Sequence, residues 1–342
     1  MKYAIYGAGS LGIVLSAYLA KNGEKFDIID RNPKSVEALN DKGAVVVGTV
    51  QMTEKVNAIL DTKVQDKYDI VFLVTKQLGN LETVKKASKF LTDDGVICTM
   101  QNGLPEKDVS EVLGENRTYG CAVAWGATRI EPVKSELTSN PQRQSLSFSF
   151  GSMDGHRDEK FDEIVRILNI MGDVQVEENF IGARWSKLLI NSSFSGMSTV
   201  CGKTFGEVAK YKPSRKVVQR IIKECIDVAA ANGIKIEPIQ GKDVVKILDY
   251  KSAFKKWLSF VIIPIAIKKH RFLKASMLQD IEKGIPCEID YINGIVSQYG
   301  KKVGIATPFN DKAIEIIHKC ESGELTPSLS NVKYFEELYS VI

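Results

Sequence analysis

The chain has 342 residues, long for one domain and comfortable for two. Hydrophobic residues make up 44% and charged residues 26%, a soluble globular balance, and a net charge of +4 gives no case for nucleic-acid or membrane binding. Six scattered cysteines (Cys98, Cys121, Cys201, Cys225, Cys287, Cys320) form no C-x-x-C pair and no metal-ligand spacing, so reduced thiols in a cytoplasmic protein without a metal site are expected.

Residues 2–6 (KYAIY) read as a short buried strand that runs straight on from Met1, leaving no place for a signal peptide. Gly7-Ala8-Gly9-Ser10-Leu11-Gly12 follows at once. Leu11, Val14, Leu15, Tyr18 and Leu19 then recur at helical spacing, with Gly23 placed to end the helix. A second strand over 25–29 ends in Asp30-Arg31. Strand, G-x-G-x-x-G, helix, strand and a terminal acid together predict a dinucleotide site. Gly7 permits the tight turn, Gly9 lets backbone approach a pyrophosphate, and Gly12 lets the helix lie close to the strand. The helix N-terminus offers its N–H groups and positive dipole end to the phosphates.

A short helix over 35–42 and a β-rich segment over 44–58 come next. Residues 68–74 (YDIVFLV) are a continuous apolar run, the mark of a parallel strand buried on both faces. Thr75-Lys76-Gln77 lies at its carboxyl end. A helix over 81–91 leads to a strand over 95–100 ending in Gln101-Asn102-Gly103. Ligands of open α/β sheets sit outside the carboxyl ends of the strands, so Gly7 to Gly12, Asp30-Arg31, Thr75-Lys76 and Asn102-Gly103 should line one crevice. Strands over 118–125, 146–151 and 174–176 and a helix over 161–171 complete this half. The fold expected is an α/β Rossmann domain, doubly wound on a mostly parallel sheet, over residues 1–178.

Beyond 178 the strands stop. Helices are predicted over 181–194, 214–232, 241–248, 254–263, 290–301, 309–321 and 334–339, an all-α domain over 179–342 with a ligand cleft expected at its junction with the first. The apolar run 261–267 is far short of the ~20 residues of a spanning helix and contains Pro264, so it reads as core or pocket wall. The three histidines (His156, His270, His318) have no evident acid or base partner, which argues against a His-centred dehydrogenase.

Two stretches of the helical half break ordinary bundle patterning. Lys187 and Asn191 are four apart, on one helical face beside Leu188, Ile190 and Phe194. Residues 276–286 mix polar and apolar positions without helical order, and Glu288-Ile289-Asp290 opens a helix whose acidic first turn suits the dipole. Snorkelling explains a lone lysine, and capping explains Asp290.

Gly7-x-Gly9-x-x-Gly12, Lys76, Gln101-Asn102-Gly103, Lys187-x-x-x-Asn191, Ser276-Met277-Leu278-Gln279-Asp280 and Glu288-Ile289-Asp290-x-x-Asn293-Gly294 occur in that order. With them the chain resembles the ketopantoate reductase (2-dehydropantoate 2-reductase) family over nearly its full length. The resemblance implies NADPH-dependent reduction of ketopantoate to D-pantoate, on the route to pantothenate and coenzyme A. It also implies roles. Lys187 is the general acid that protonates the nascent alkoxide, since a lysine ammonium carries a proton at neutral pH. Glu288 hydrogen-bonds the substrate hydroxyl and orients Lys187. Asn191 and Ser276 hold the substrate carboxylate and hydroxyl, Asn102 meets nicotinamide and substrate, and Lys76 and Glu288 contact the cofactor, which Gly7 to Gly12, Ala8, Ser10 and Leu11 included, cradle.

The chain departs from the family where a second asparagine is common four residues after Asn191: it has Ser195, a shorter group in the expected substrate site that suits a bulkier or different substrate. Asp30 favours the ribose hydroxyls of NAD(H) unless it turns away or pairs with Lys34, whereas Arg31 stands where the family grips the 2′-phosphate. NADP(H) is the expected cofactor, with NAD(H) the alternative. The rival readings are an NAD-dependent D-2-hydroxyacid (mandelate-type) dehydrogenase and a dinucleotide-binding sensor without turnover. Partners are limited to a small 2-oxo acid, and the sequence does not choose between monomer and homodimer.

Overall fold

The computed structural model describes residues 1–143, 145–239 and 241–340, with side-chain detail at all but Val244. The chain divides into two compact units, Met1–Phe180 and Ile181–Ile342.

The first unit holds strands β1 (Tyr3–Tyr6), β2 (Phe26–Asp30), β3 (Ala44–Gly48), β4 (Met52–Glu54), β5 (Asn57–Leu60), β6 (Tyr68–Leu73), β7 (Leu91–Thr99), β8 (Thr118–Val123), β9 (Ala127–Glu131), β10 (Lys134–Leu137), β11 (Phe148–Ser152) and β12 (Val174–Val176). Its helices are α1 (Ser10–Lys21), α2 (Pro33–Lys42), α3 (Asn80–Ser88), α4 (Glu106–Leu113) and α5 (Glu159–Asn169). Eight strands form one sheet in the order β12-β11-β8-β7-β6-β1-β2-β5, parallel apart from the β8/β11 pair. The strand order reverses at β1, flanked by β2 and β6, which makes the β1/β6 edge the topological switch point.

Both faces of this sheet are covered, which explains its unbroken apolar strands. In β1, Tyr3 and Ile5 join the core shared with Ile13, Val14, Phe72 and Phe150, while Ala4 and Tyr6 face the core of Val71, Leu73, Val84 and Phe90. Each fully buried side chain of this kind, such as Phe72, contributes about 1.5–3 kcal/mol.

A second, four-stranded sheet, β4-β3-β10-β9, takes up most of the β-rich segment that follows α2. In it Val45 of β3 pairs with Lys134 of β10, parallel and far away in sequence. The sheet packs over α1, where the Ser135 hydroxyl donates to the Ser10 carbonyl at 3.0 Å.

The second unit is helical. α6 (Phe180–Ile190) passes through a π-helical turn, Asn191–Ser195, into α7 (Gly196–Cys201). There follow α8 (Phe205–Lys210), α9 (Lys212–Ala231), α10 (Val244–Leu248), α11 (Ala253–Ala266), α12 (Ser276–Glu282), α13 (Ile289–Val303) and α14 (Pro308–Glu321). α9 is the hub: Val218, Ile221, Ile222 and Cys225 are buried, and the helix packs against the π turn, α8, α11, α13 and α14. A capping box between Thr204 and Glu207 starts α8.

Three expectations change. Residues 276–282 are helical, because Met277 and Leu278 bury themselves in a stretch too short to show periodicity. The final element is a 3₁₀ run, Leu329–Tyr339, longer and tighter than the α-helix expected over 334–339. The apolar run is core only in part: Ile263 and Ile267 are buried, but Val261 and Ile265 are exposed.

Candidate active site

The glycine turn fits a dinucleotide residue by residue. Gly7 has φ +120°, and a Cβ there would meet Thr75 Cγ2 and backbone nitrogen at 3.0 Å, so the turns after β1 and β6 touch. A Cβ on Gly12 would lie 2.0 Å from the Gly7 carbonyl oxygen, which only glycine avoids. Around Gly9 the reverse holds: a Cβ would meet nothing within 4 Å. Protein packing therefore explains Gly7 and Gly12 but not Gly9, whose bare backbone faces open space. Gly9 caps α1 with no side-chain hydrogen bond, and the first turn has no acidic residue, so the helix dipole is left for an outside anion. Ser10 and Leu11 are half-exposed there.

Asp30 turns toward the glycine turn. One carboxylate oxygen accepts the Ala8 N–H at 2.6 Å and the other the Asn32 N–H at 2.8 Å. Lys34 instead gives its backbone N–H to the Asn32 side chain, which caps α2. Arg31 is exposed, and its guanidinium makes no hydrogen bond or ion pair among the described residues.

The loops after β6 and β7 are laced together by a buried amide. Gln101 Nε2 donates to Thr75 Oγ1 at 3.1 Å and Asn80 Oδ1 at 2.8 Å, and its Oε1 accepts from Thr99. Asn80 donates to Asp108 at 2.8 Å, and the Gln77 side chain donates to the Asn102 carbonyl. Asn102 is thereby held half-exposed at the strand ends, and Lys76, one residue beyond Thr75, is exposed. Gln77 was named from the sequence only as part of Thr75-Lys76-Gln77, with no role, and Asn80 was not singled out. A run of short polar residues just after each buried strand is the signal that would have found them.

In the second unit the helix bearing Lys187 is buried almost all round. Across residues 182–201, all of them described, every residue is buried except Lys187, Ile190, Asn191 and Ser195. Lys187, Asn191 and Ser195 stand four apart and form one open stripe on a closed helix. The π turn falls on the last two, and such turns recur at functional sites. Its loosened carbonyls find partners: Ser193 donates to the Leu189 carbonyl at 2.6 Å, Thr199 to that of Ser195 at 2.8 Å, and Asn293 to that of Ser192 at 3.0 Å.

Asn293 is fully buried on α13 and reaches the turn because Gly196 leaves room, a Cβ there meeting Asn293 Oδ1 at 3.0 Å. Its amide also donates to Asn310 Oδ1 at 2.9 Å. Glu224 of α9 accepts from the backbone N–H groups of Phe309 and Asn310 and from the Asn310 side chain, at 2.7–3.0 Å, at the N-terminus of α14. Burial nevertheless pushes the Glu224 carboxyl up to about 7, these donors pulling the other way.

Ser276 opens α12 and is exposed; the preceding Ala275 N–H donates to Ser198 of α7 at 3.3 Å. Glu288 is buried at the N-cap of α13. Both helices pack against the π turn. One reading from sequence is corrected at two of the three histidines: His156 pairs through Nδ1 with Asp154, and His318 has acidic partners in Glu321 at 2.8 Å and Asp290 at 3.1 Å. For His318 the causes oppose one another. Burial lowers its affinity for a proton, but these bonds and charges outweigh that and raise it. The cluster ties α14 to α13 across a large sequence gap, which no local pattern reveals.

A doubly wound sheet with a bare glycine turn at its switch point defines the first unit as a Rossmann-type dinucleotide-binding fold. Family models described as ketopantoate reductase PanE/ApbA match residues 3–149, and its C-terminal counterpart residues 179–321. A 2-dehydropantoate 2-reductase of Pyrococcus horikoshii is 27% identical over 91% of this chain and 94% of its own length. Among solved structures, D-mandelate dehydrogenase with NADH and anilino(oxo)acetate superposes with a TM-score of 0.79 at 24% identity, covering 94% of this chain and 99% of that one. A PanE/ApbA family ketopantoate reductase from Ralstonia eutropha JMP134 gives 0.78 at 20% identity, covering 95% and 99%. The chain belongs to the ketopantoate reductase family.

Proposed function

We propose that the protein reduces ketopantoate to D-pantoate with NADPH, the first unit binding the cofactor and the second supplying substrate contacts and the acid. The observation that carries this reading is the half-exposed Lys187–Asn191–Ser195 stripe on a helix buried elsewhere except at Ile190. When bound, the dihydronicotinamide supplies a hydride to the carbonyl carbon of the 2-oxo acid. Lys187 holds its proton at the carbonyl oxygen and releases it as the alkoxide forms, its charge countering the growing negative charge. Asn191, Ser195 and Ser276 hold the substrate carboxylate and hydroxyl. Glu288 hydrogen-bonds that hydroxyl and orients Lys187, and Asn102 keeps the nicotinamide end and the substrate in register.

NADPH rather than NADH is supported by the pair at the end of β2. Both oxygens of Asp30 are engaged by backbone N–H groups, while exposed Arg31 stands ready for a 2′-phosphate. Six buried free cysteines fit a reducing, cytoplasmic setting. No helix among the described residues is long and apolar enough to cross a membrane.

The test is cofactor oxidation with ketopantoate, NADPH beside NADH. We expect turnover with NADPH, and a loss of kcat of about 10²–10⁴-fold in Lys187→Ala, the usual size of a general-acid contribution. Unchanged turnover in that variant would remove Lys187 from the chemistry. A second reading, a D-2-hydroxyacid dehydrogenase using NAD(H), is favoured by the short Ser195 side chain and the likeness to the mandelate enzyme. Activity on aryl 2-oxo acids with NADH, and none on ketopantoate, would select it. Dinucleotide binding without reduction of any 2-oxo acid would leave only a sensor.

A further inference from the structure

The first turn of α13 is held from outside. Glu288 is its N-cap, and the Glu288 side chain makes no cap hydrogen bond. Instead Glu321, in the last turn of α14, accepts the Cys287 N–H through Oε1 at 2.7 Å. The other oxygen of Glu321 meets His318 Nδ1 at 2.8 Å, and His318 Nε2 meets Asp290 Oδ1 at 3.1 Å. One imidazole therefore joins both sides of Glu288, Asp290 directly and Cys287 through Glu321.

We infer that His318 is a positioning residue: its imidazolium, held between Asp290 and Glu321, fixes the turn that presents Glu288 to the substrate, and loss of its proton loosens that turn. The inference rests on the proposed role of Glu288 as a contact of the substrate hydroxyl. The first argument is donor count. An ionised carboxylate only accepts, so a ring with a carboxylate at each nitrogen needs two N–H groups, which only the imidazolium has. Burial works to raise the Glu321 carboxyl, but the Cys287 N–H and His318 outweigh it and hold it below the usual range, hence ionised at neutral pH. A neutral ring keeps one N–H and turns a lone pair toward the second carboxylate. The second argument is the helix dipoles. Asp290 lies in the first turn of α13, where an acid is favoured, whereas Glu321 ends α14, where a cation is. The His318 charge offsets Glu321 there. The third argument is the surroundings. Among the described residues the charged groups bonded to the ring are Asp290 and Glu321. Lys319 is drawn to Glu315 and Glu324 at 3.1 and 3.7 Å, and α7 carries no charged residue. Glu224 of α9 and Glu337 of the 3₁₀ run lie toward the start of α14, on Asn310 and Lys312. Asp280 of α12 acts on the Cys287 thiol, which burial keeps protonated. Burial also works against the His318 proton, but the two acids outweigh it, so the imidazolium persists above the ordinary value of 6.5 and is lost as pH rises further.

The test is kcat/KM for ketopantoate with NADPH, from about pH 6 to about pH 9, in the wild type, His318→Ala and His318→Arg. The His318 side chain is 46% exposed, so both variants should fold, with unchanged circular dichroism. Dividing each profile by that of the wild type removes the titrations of Lys187 and Glu288, which all three proteins share. At about pH 6 His318→Ala should be about three- to tenfold below the wild type, the worth of one hydrogen bond, and at about pH 9 equal to it. His318→Arg, a cation with several donors at every pH, should match the wild type at the lower pH and exceed it at the higher. Amide exchange over residues 286–292 needs no substrate: at about pH 6 it should be faster in His318→Ala than in the wild type, and at about pH 9 the same. Equal kcat/KM of His318→Ala and wild type at about pH 6 overturns the inference and leaves the reaction intact. A deficit that persists undiminished to about pH 9 overturns it too, since that marks a merely structural role. A wild type that reduces no 2-oxo acid removes the role of Glu288 and the inference with it, while exchange shows separately whether His318 holds the turn.

Discussion

Asn293 gives its side-chain amide to the carbonyl oxygen of Ser192, 3.0 Å away, inside the π turn that presents Asn191 and Ser195. The bond joins α13 to the least regular part of the helix that bears Lys187. Replacing Asn293 with Ala leaves the Ser192 carbonyl and the Asn310 side chain without their donor in a dry core, at about 1–3 kcal/mol for each group left unpaired. We expect a lower midpoint in urea and a rise in KM for the 2-oxo acid, with the KM for NADPH unchanged. A purely structural role would lower active fraction without that split, so steady-state kinetics on the folded variant decide between them.

The three glycines of the turn should separate into two kinds. Gly12→Ala drives a methyl group against the Gly7 carbonyl, which as backbone has little freedom to move, and α1 must shift away from β1. Overpacking of this kind costs about 1–3 kcal/mol, and both melting temperature and cofactor binding should fall. Gly9→Ala meets open space at φ −77°, ψ −170°, a backbone open to any residue. Its melting temperature without cofactor should match that of the wild type, while the Kd for NADPH rises at least about tenfold, or about 1.4 kcal/mol. Thermal melts and fluorescence titration of both variants separate packing from ligand approach. Unchanged affinity in Gly9→Ala would remove the pyrophosphate from that place.

In the proposed function Arg31 carries the cofactor preference. Arg31→Ala should then raise the KM for NADPH by about tenfold or more and leave that for NADH nearly unchanged, since only NADPH has a 2′-phosphate for the guanidinium to grip. Asp30→Ala is not the mirror image. Asp30 holds the Ala8 and Asn32 N–H groups, so its loss should weaken both cofactors by loosening the turn.

Glu224 predicts a pH dependence of stability with an unusual sign. Burial raises its folded carboxyl to about 7, above the ordinary glutamate value of about 4.5, so between the two the native state holds a proton that the unfolded state has lost. Stability from this group is therefore complete below pH 4.5 and declines as pH rises to 7, by a total on the order of 3 kcal/mol. Glu224→Gln cannot ionise. Urea unfolding at pH 5 and pH 8 should show the variant gaining on the wild type between the two. A constant difference would mean that Glu224 is charged throughout, stabilised by its three donors.

What could be read from the sequence was what is local. β1, the glycine turn, α1 and β2 are continuous in the chain, and each residue's part follows from its neighbours. The same is true of Lys187 and Asn191, four apart on one helix. The second sheet was invisible because Val45 and Lys134 meet only after the chain has built most of the main sheet between them. The interhelical chain from Glu224 through Asn310 and Asn293 to Ser192 was invisible for a related reason: a buried asparagine on a helix looks like any other until its partners arrive. His318, between Asp290 and Glu321, belongs with it. Long-range pairings of polar groups have no periodicity, so hydrophobic patterning does not record them.

The π turn also acts as a slack loop in the winding. A helix that widens for one turn takes up one residue more than an ordinary α-helix needs over the same rise and nearly the same rotation, so the extra residue is absorbed where it stands and α7 keeps its face to the core. Removing a single residue from 191–195 would restore ordinary winding and leave Met197, Val200 and Cys201 buried as they are. What would change is the bulge itself, and with it the way Asn191 and Ser195 are presented beside Lys187.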